Sequence, residues 1–158
     1  MSGFGKSFCF MDTIKQLKII FFVLAIGQIT YFVVTLILIQ SEKVTLNKDF
    51  STVGGFIVPV IVIILVVASR LLYNKLINSK TAGTTHQEKL LTYRTGSILK
   101  FALLEGANFL SITFYLLTGD FLYAAMFVII IAIFFANFPS REKFISEFGL
   151  SSYEDKRN

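Results

Sequence analysis

Four long runs of apolar residues constrain this chain more than any other feature. They cover residues 19–39, 53–72, 97–117 and 121–138. A bilayer core about 30 Å thick is crossed by roughly 20 apolar residues in a helix. Lipid offers no hydrogen-bond partner to free backbone groups, so a span must be a helix or part of a closed barrel. Because the runs lack the period-2 alternation of barrel strands, the sequence predicts one domain, an all-α integral membrane four-helix transmembrane bundle.

The composition agrees with this prediction and excludes several kinds of chemistry. Hydrophobic residues make up 54% of the chain and charged residues 16%, whereas a soluble domain has about 45–50% and about 25%. The single cysteine, Cys9, excludes an internal disulfide and a paired-cysteine redox site. The single histidine, His86, excludes most histidine-based metal sites. We therefore predict no metal and no cofactor.

Basic residues are distributed unevenly between the segments that connect the apolar runs. Thirteen of the fifteen Lys and Arg residues lie before the first run, around the loop between the second and third runs, or in the tail. Only Lys43 and Lys48 lie on the other side. The positive-inside rule therefore places both termini in the cytoplasm. This topology accounts for the net charge of +5, so we expect no nucleic-acid partner.

Two helices are predicted to extend beyond the membrane. Thr85 and Glu88 have the spacing of a capping box, which predicts a helix from His86 through Leu117 that projects into the cytoplasm. A second, amphipathic helix is predicted over 140–148, with Ser140 as its N-cap. Its apolar face is expected to lie on the inner headgroups. Docking of this face against a partner subunit is the alternative.

One acidic residue, Glu105, lies well inside the third run. It is about 12 Å into the membrane core, counted from residue 97 at 1.5 Å per residue. A charged side chain there costs about 2.5–3.5 kcal/mol on insertion scales, so it usually faces protein or water. Asn108 is three residues further on, and Gln28 of the first run lies at a similar depth. We predict that Gln28, Glu105 and Asn108 form one buried intramembrane polar layer.

Two functions are compatible with this layer. In the first, Glu105 fixes the packing of the bundle or of an oligomer, and the protein is a non-enzymatic assembly or accessory subunit. The small pairs Ala102/Gly106 and Ala132/Ala136 have a spacing that allows close helix packing. In the alternative, Glu105 is the coupling site of a small oligomeric proton or cation transporter or channel. No pair of intramembrane aspartates or nucleophile dyad indicates an enzyme. The expected partners are the lipid bilayer and a homo-oligomer or larger membrane complex.

The second half of the chain resembles a family of small four-helix inner-membrane proteins of bacteria. The resemblance rests on residues 88–94, the run 102–107 with its Leu-Glu-Gly, the turn 116–119 and the tail 139–150. It implies a multi-pass protein of the bacterial cytoplasmic membrane, with Glu105 as part of the family pattern. It implies no activity.

Overall fold

The computed structural model of the chain describes residues 3–41, 49–79 and 85–147. Five helices account for nearly all of them: α1 (Gly3–Gln40), α2 (Asp49–Asn78), α3 (His86–Thr118), α4 (Phe121–Ala136) and α5 (Arg141–Glu147). The described part of the chain contains no strand. The all-α prediction is therefore confirmed for these residues. The side chains of Cys9 and His86 lie outside the described residues.

Three helices contain segments that are long and apolar enough to cross a membrane. These segments are Asp12–Gln40, Gly55–Asn78 and Glu88–Thr118. Helix α4 has 16 residues, about 24 Å at 1.5 Å per residue, so it is shorter than the predicted run over 121–138. It ends at Ala136 because the Asn137 side chain turns back and donates from Nδ2 to the Ile133 carbonyl at 2.7 Å. That the four helices cross a membrane stays a prediction.

Helix α3 begins where the capping box predicts. The backbone N–H of Thr85 donates to Glu88 Oε2 at 3.2 Å, and Thr85 has the extended conformation of an N-cap residue. From there α3 runs without interruption for 33 residues to Thr118. The predicted extension of this helix beyond its apolar run is therefore confirmed.

A tight turn reverses the chain between α3 and α4. Gly119 adopts φ 69°, in the left-handed region that glycine enters without steric cost, and its N–H donates to the Tyr115 carbonyl at 2.8 Å. Asp120 then caps α4, since its Oδ1 accepts from the Leu122 N–H at 3.0 Å. Helices α3 and α4 are therefore antiparallel neighbours.

Helix α3 is the centre of the bundle, because α1, α2 and α4 all pack against it. Phenylalanine rings fill much of the space between these helices. Phe21 of α1 stacks on Phe134 of α4, with ring centroids 4.5 Å apart. The same ring meets Phe101 of α3 edge-on at 5.5 Å. This aromatic cluster joins α1, α3 and α4 in one apolar core.

A second apolar cluster closes one end of the bundle. It contains Ile14, Leu17, Tyr73, Ile77, Leu90, Tyr93 and Phe144, so it joins α1, α2, α3 and α5. Ser140 acts as the predicted N-cap of α5, since its Oγ accepts from the Lys143 N–H at 3.2 Å. Phe148 and Gly149 of the predicted tail helix lie outside the described residues.

The position of α5 differs from the headgroup position expected for it. Phe144 is 1% exposed and meets the Tyr93 ring edge-on at 5.3 Å. The Tyr73 hydroxyl donates to Glu147, which ties the last residue of α5 to α2. The Phe144 side chain of α5 is therefore buried between the ends of α1, α2 and α3, and not on a lipid surface.

Candidate functional site

Gln28 of α1 and Asn108 of α3 form a direct contact inside the bundle. Both side chains are 0% exposed, and Asn108 Nδ2 donates to Gln28 Oε1 at 2.5 Å. The structure thus brings together two of the three residues of the predicted polar layer. Both are neutral amides, so the pair can align helices through hydrogen bonds but cannot hold a proton or a cation by charge.

A second polar contact joins the same helices further along. Thr113 Oγ1 donates its hydroxyl proton to the Phe109 carbonyl at 2.7 Å, so it can only accept a second hydrogen bond. Tyr31 OH lies 3.2 Å from Thr113 Oγ1 and is therefore the donor between the two hydroxyls. Residue numbers rise together in the two contacts, from Gln28 with Asn108 to Tyr31 with Thr113. Helices α1 and α3 therefore run parallel, and these contacts fix their register.

Sequence reasoning did not find the Tyr31–Thr113 contact. Tyr31 follows Gln28 by three residues and Thr113 follows Asn108 by five, so both lie about one turn further along. These similar offsets were the available signal. They become informative only when α1 and α3 are known to be parallel neighbours.

Several polar atoms in the core have no hydrogen-bond partner among the described residues. They are Gln28 Nε2, Asn108 Oδ1, Thr35 Oγ1 and Tyr123 OH. A buried polar atom without a partner costs about 1–3 kcal/mol. The two amides therefore contribute to register, while part of their hydrogen-bonding capacity is unused.

Glu105 does not join the pair, so the predicted three-residue layer is wrong in this respect. Its side chain is half-buried, and among the described residues no hydrogen bond or ion pair involves it. Three residues along a helix leave Glu105 about 60° away from Asn108. Helix α1 packs on the side of α3 that carries Leu104, Ala107 and Asn108, which are all buried. The rotation is enough to move Glu105 from that interface to its flank.

Small residues surround Glu105 on this flank. Ala102 and Gly106 are exposed, and a Cβ atom placed on Gly106 would meet nothing within 4 Å. Gly27 of α1 has the same open space. Tyr31 and Phe109 are in ring contact at 5.3 Å. Gly27 and Glu105 each precede that contact by four residues on parallel helices, so they lie at the same level of the bundle. We call Gly27, Ala102, Glu105 and Gly106 the Glu105 face.

The other groups considered for catalysis or metal binding do not assemble into a site. Within the residues described, no three His, Cys, Asp or Glu side chains are close enough to hold a metal ion. Asp120 is used as the cap of α4. The second small pair, Ala132 and Ala136, is exposed on α4. Of the predicted polar layer, the described residues thus provide two features, the buried amide pair and the Glu105 face.

Comparison with known proteins adds no relative to these observations. No protein-family model, no curated protein and no solved structure matches the chain. The resemblance to a bacterial family therefore stays a prediction, and the function is argued from the site alone.

Proposed function

We propose that the protein is a non-enzymatic assembly or accessory subunit of a bacterial cytoplasmic membrane complex, and that it packs against its partner through the Glu105 face. The proposal includes four membrane spans and a cytoplasmic location for both termini. The observation that carries it is the half-buried Glu105 carboxyl on the flank of α3, which has no hydrogen-bond or ion-pair partner among the described residues.

The outer surface of the bundle supports a membrane location. Phe56 is 83% exposed, and Ile19, Leu71 and Ile129 are each about 60% exposed. Soluble monomers rarely expose contiguous apolar patches larger than a few hundred Å². Contact of such side chains with lipid chains has no free-energy cost, whereas their contact with water is unfavourable. The 13 basic residues around the loop and termini of one side support the orientation.

The energetics of Glu105 favour a protein partner. At the centre of a bilayer an ionised carboxylate costs about 2.5–3.5 kcal/mol, and such groups pair with other polar groups. A hydrogen bond between helices in lipid contributes about 1–2 kcal/mol in model peptides. A partner helix that brings a donor to Glu105 therefore offsets much of this cost.

The shape of the Glu105 face favours the same conclusion. Glycine and alanine on a helix surface let a second backbone approach closely, and van der Waals packing then drives association in lipid. Gly27 and Gly106 both border open space. A second copy of this chain or a helix of another membrane protein can occupy that space, and the two are separable by experiment.

Steric blocking of the Glu105 face tests the proposal. The variant Gly106→Leu adds a side chain in the middle of the face, and Gly55→Leu adds the same side chain at another open glycine on α2. We expect Gly106→Leu to abolish an assembly that Gly55→Leu leaves intact, measured as molar mass in mild detergent. A second copy gives a homo-oligomer. Another protein gives a co-purifying subunit that Gly106→Leu loses.

Glu105→Leu and Glu105→Gln add a chemical test. Leucine removes the hydrogen bond and should dissociate the complex, while glutamine keeps a donor and an acceptor and should retain part of it. Wild-type protein that is monomeric, with no subunit lost in either Leu variant, would contradict the proposal.

Transport through Glu105 is the second hypothesis. It has weaker support, because the polar contacts between α1 and α3 among the described residues are made by amides and hydroxyls and not by charged groups. Reconstituted protein assayed for proton or cation flux, with Glu105→Gln as the control, tests it. Flux in the wild type that Glu105→Gln abolishes would favour transport over assembly.

A further inference from the structure

An apolar groove runs along the outside of the bundle between α2 and α4. It encloses about 430 Å³, and only apolar atoms line it. Val62 and Ile130 are buried at 3% and 2% exposure and form its floor. Among its other lining residues are Ile63, Val66, Ile129 and Ile133. The groove exists because α2 and α4 both pack on α3, which lies behind them.

Both walls of the groove end at the same end of the bundle. Tyr73 of α2 lies against Gly96 near the start of α3, about 3.1 Å from where a Cβ atom would stand. Helix α2 therefore runs antiparallel to α3, as α4 does through the turn at Gly119. Hence α2 and α4 run parallel to each other. Beyond the groove, α2 continues to Arg70 and the chain after α4 continues to Asn137.

Three basic side chains lie near one another beyond that end of the groove, close enough for electrostatic interaction. Lys100 lies over the Tyr73 ring, 4.4 Å from its centroid. Its ammonium interacts electrostatically with Arg70, Lys143 and Glu147. Lys143 Nζ donates to the Ala136 carbonyl at 2.8 Å. Among the described residues, this cluster therefore contains one carboxylate and three cations, which is an excess of positive charge.

The groove and the basic cluster are adjacent. Asn137, together with Lys100, Lys143 and Glu147, lines a polar cavity of about 30 Å³. Ile133, one helical turn before Asn137, lines the groove. On the opposite wall, Arg70 follows the groove residue Val67 by three positions, which places both on one side of α2.

We propose that the groove between α2 and α4 and the Arg70, Lys100 and Lys143 cluster together bind one anionic phospholipid. An acyl chain occupies the groove, and the phosphate lies against the three cations. Charge complementarity selects this occupant: a partner helix would fill the apolar groove but leave the cluster without an anion. Basic pockets between transmembrane helices on the cytoplasmic side bind anionic headgroups in this way.

The inference shares only membrane insertion with the proposed function. The Glu105 face is formed by α1 and α3, and the groove by α2 and α4, so the two surfaces have no residue in common. The lipid site can exist on a monomer, and assembly can occur without it.

Native mass spectrometry of the delipidated full chain tests the site. The probes are phosphatidylglycerol and phosphatidylcholine with identical acyl chains, titrated separately in nonionic detergent. We expect one phosphatidylglycerol to bind more tightly than phosphatidylcholine. The double variant Arg70→Gln/Lys143→Gln should weaken phosphatidylglycerol about 30-fold, as expected for two charges near a membrane surface. It should weaken phosphatidylcholine less, because the choline ammonium offsets the phosphate charge of that lipid.

A matched pair of controls separates the site from general charge and from general packing. Lys75→Gln/Arg94→Gln removes the same charge from the same end outside the cluster and should retain the preference. Ile63→Phe narrows the groove and should lower the affinity for both lipids. Ile61→Phe alters an exposed position outside the lining residues of the groove and should leave both affinities unchanged. Far-ultraviolet circular dichroism confirms that each variant remains helical.

Three results would overturn the inference. They are equal affinity for the two lipids, an equal loss in both double charge variants, and displacement of the lipid by inorganic phosphate, which would indicate a free-anion site. The preference is also measured on Gly106→Leu. A Gly106→Leu variant that loses assembly but keeps the lipid preference would support both proposals. Wild-type protein that does not assemble would contradict the proposed function alone, and wild-type protein without the lipid preference would contradict the lipid site alone.

Discussion

Asn108 and Gln28 share a buried hydrogen bond, 2.5 Å long, between two helices that run in the same direction. Replacing Asn108 by leucine removes the hydrogen-bond partner that the described residues provide for Gln28. We expect a loss of about 1–3 kcal/mol of stability from that unsatisfied amide. Reversible unfolding in mixed micelles, followed by far-ultraviolet circular dichroism, measures it.

The double variant Gln28→Leu/Asn108→Leu completes a thermodynamic cycle. Its stability loss should be smaller than the two single losses combined, with a coupling of about 0.6 kcal/mol, the average for hydrogen bonds inside membrane proteins. Strictly additive losses would mean that the two amides do not interact.

The stacked pair Phe21 and Phe134 predicts a large loss from truncation. Phe21→Ala should destabilise the bundle by about 3–5 kcal/mol, because the ring contacts two other helices, α3 and α4, and its removal leaves a cavity. Phe56→Ala is the matched control, since that ring is 83% exposed, and it should change stability by less than about 0.5 kcal/mol. The same unfolding measurement applies to both, and equal effects would refute the packing described for Phe21.

The docking of α5 predicts local release of the tail. Phe144→Ala removes the ring that contacts Tyr93 and should destabilise α5 by about 3–5 kcal/mol, the usual loss for a buried phenylalanine. Hydrogen exchange of residues 141–147 should then accelerate toward the rate of an unfolded segment. Ser146→Ala, at an exposed position of the same helix, should leave exchange unchanged.

The hydrogen bond from Tyr73 to Glu147 predicts a smaller effect on the same segment. Tyr73→Phe keeps the ring but removes a donor to a carboxylate, a bond that contributes about 1.5–3 kcal/mol. Exchange of α5 should therefore increase less than in Phe144→Ala. The reverse order would show that the hydrogen bond, and not apolar burial, holds the tail.

The distribution of basic residues predicts which side each loop faces. In a Cys9→Ser background, Phe121→Cys should react with a membrane-impermeant thiol reagent in intact cells. Ser79→Cys should react only after the membrane is permeabilised. Both positions are exposed in the structure. A reporter that is active only in the periplasm and is fused after Asn158 should stay silent. A signal from it would contradict the predicted topology.

The helices were predictable because each depends on local chemistry. The Thr85–Glu88 cap and the unbroken apolar run define α3, and Ser140 starts α5. The contact between Gln28 and Asn108 was predicted from their similar positions along the first and third apolar runs. The contact between Tyr31 and Thr113 was missed, because depth alone does not say which helices are neighbours or whether their directions agree.

The sequence by itself determined that this chain is helical and apolar over most of its length, and where its basic residues lie, because hydropathy, caps and charge act residue by residue. Only the tertiary structure decided that Glu105 lies on the flank of α3 while Asn108 is buried. That outcome depends on the side from which α1 packs, and about 60° of rotation separates the two positions. Packing also decided the place of Phe144, since the cavity that receives it is formed by the ends of three other helices.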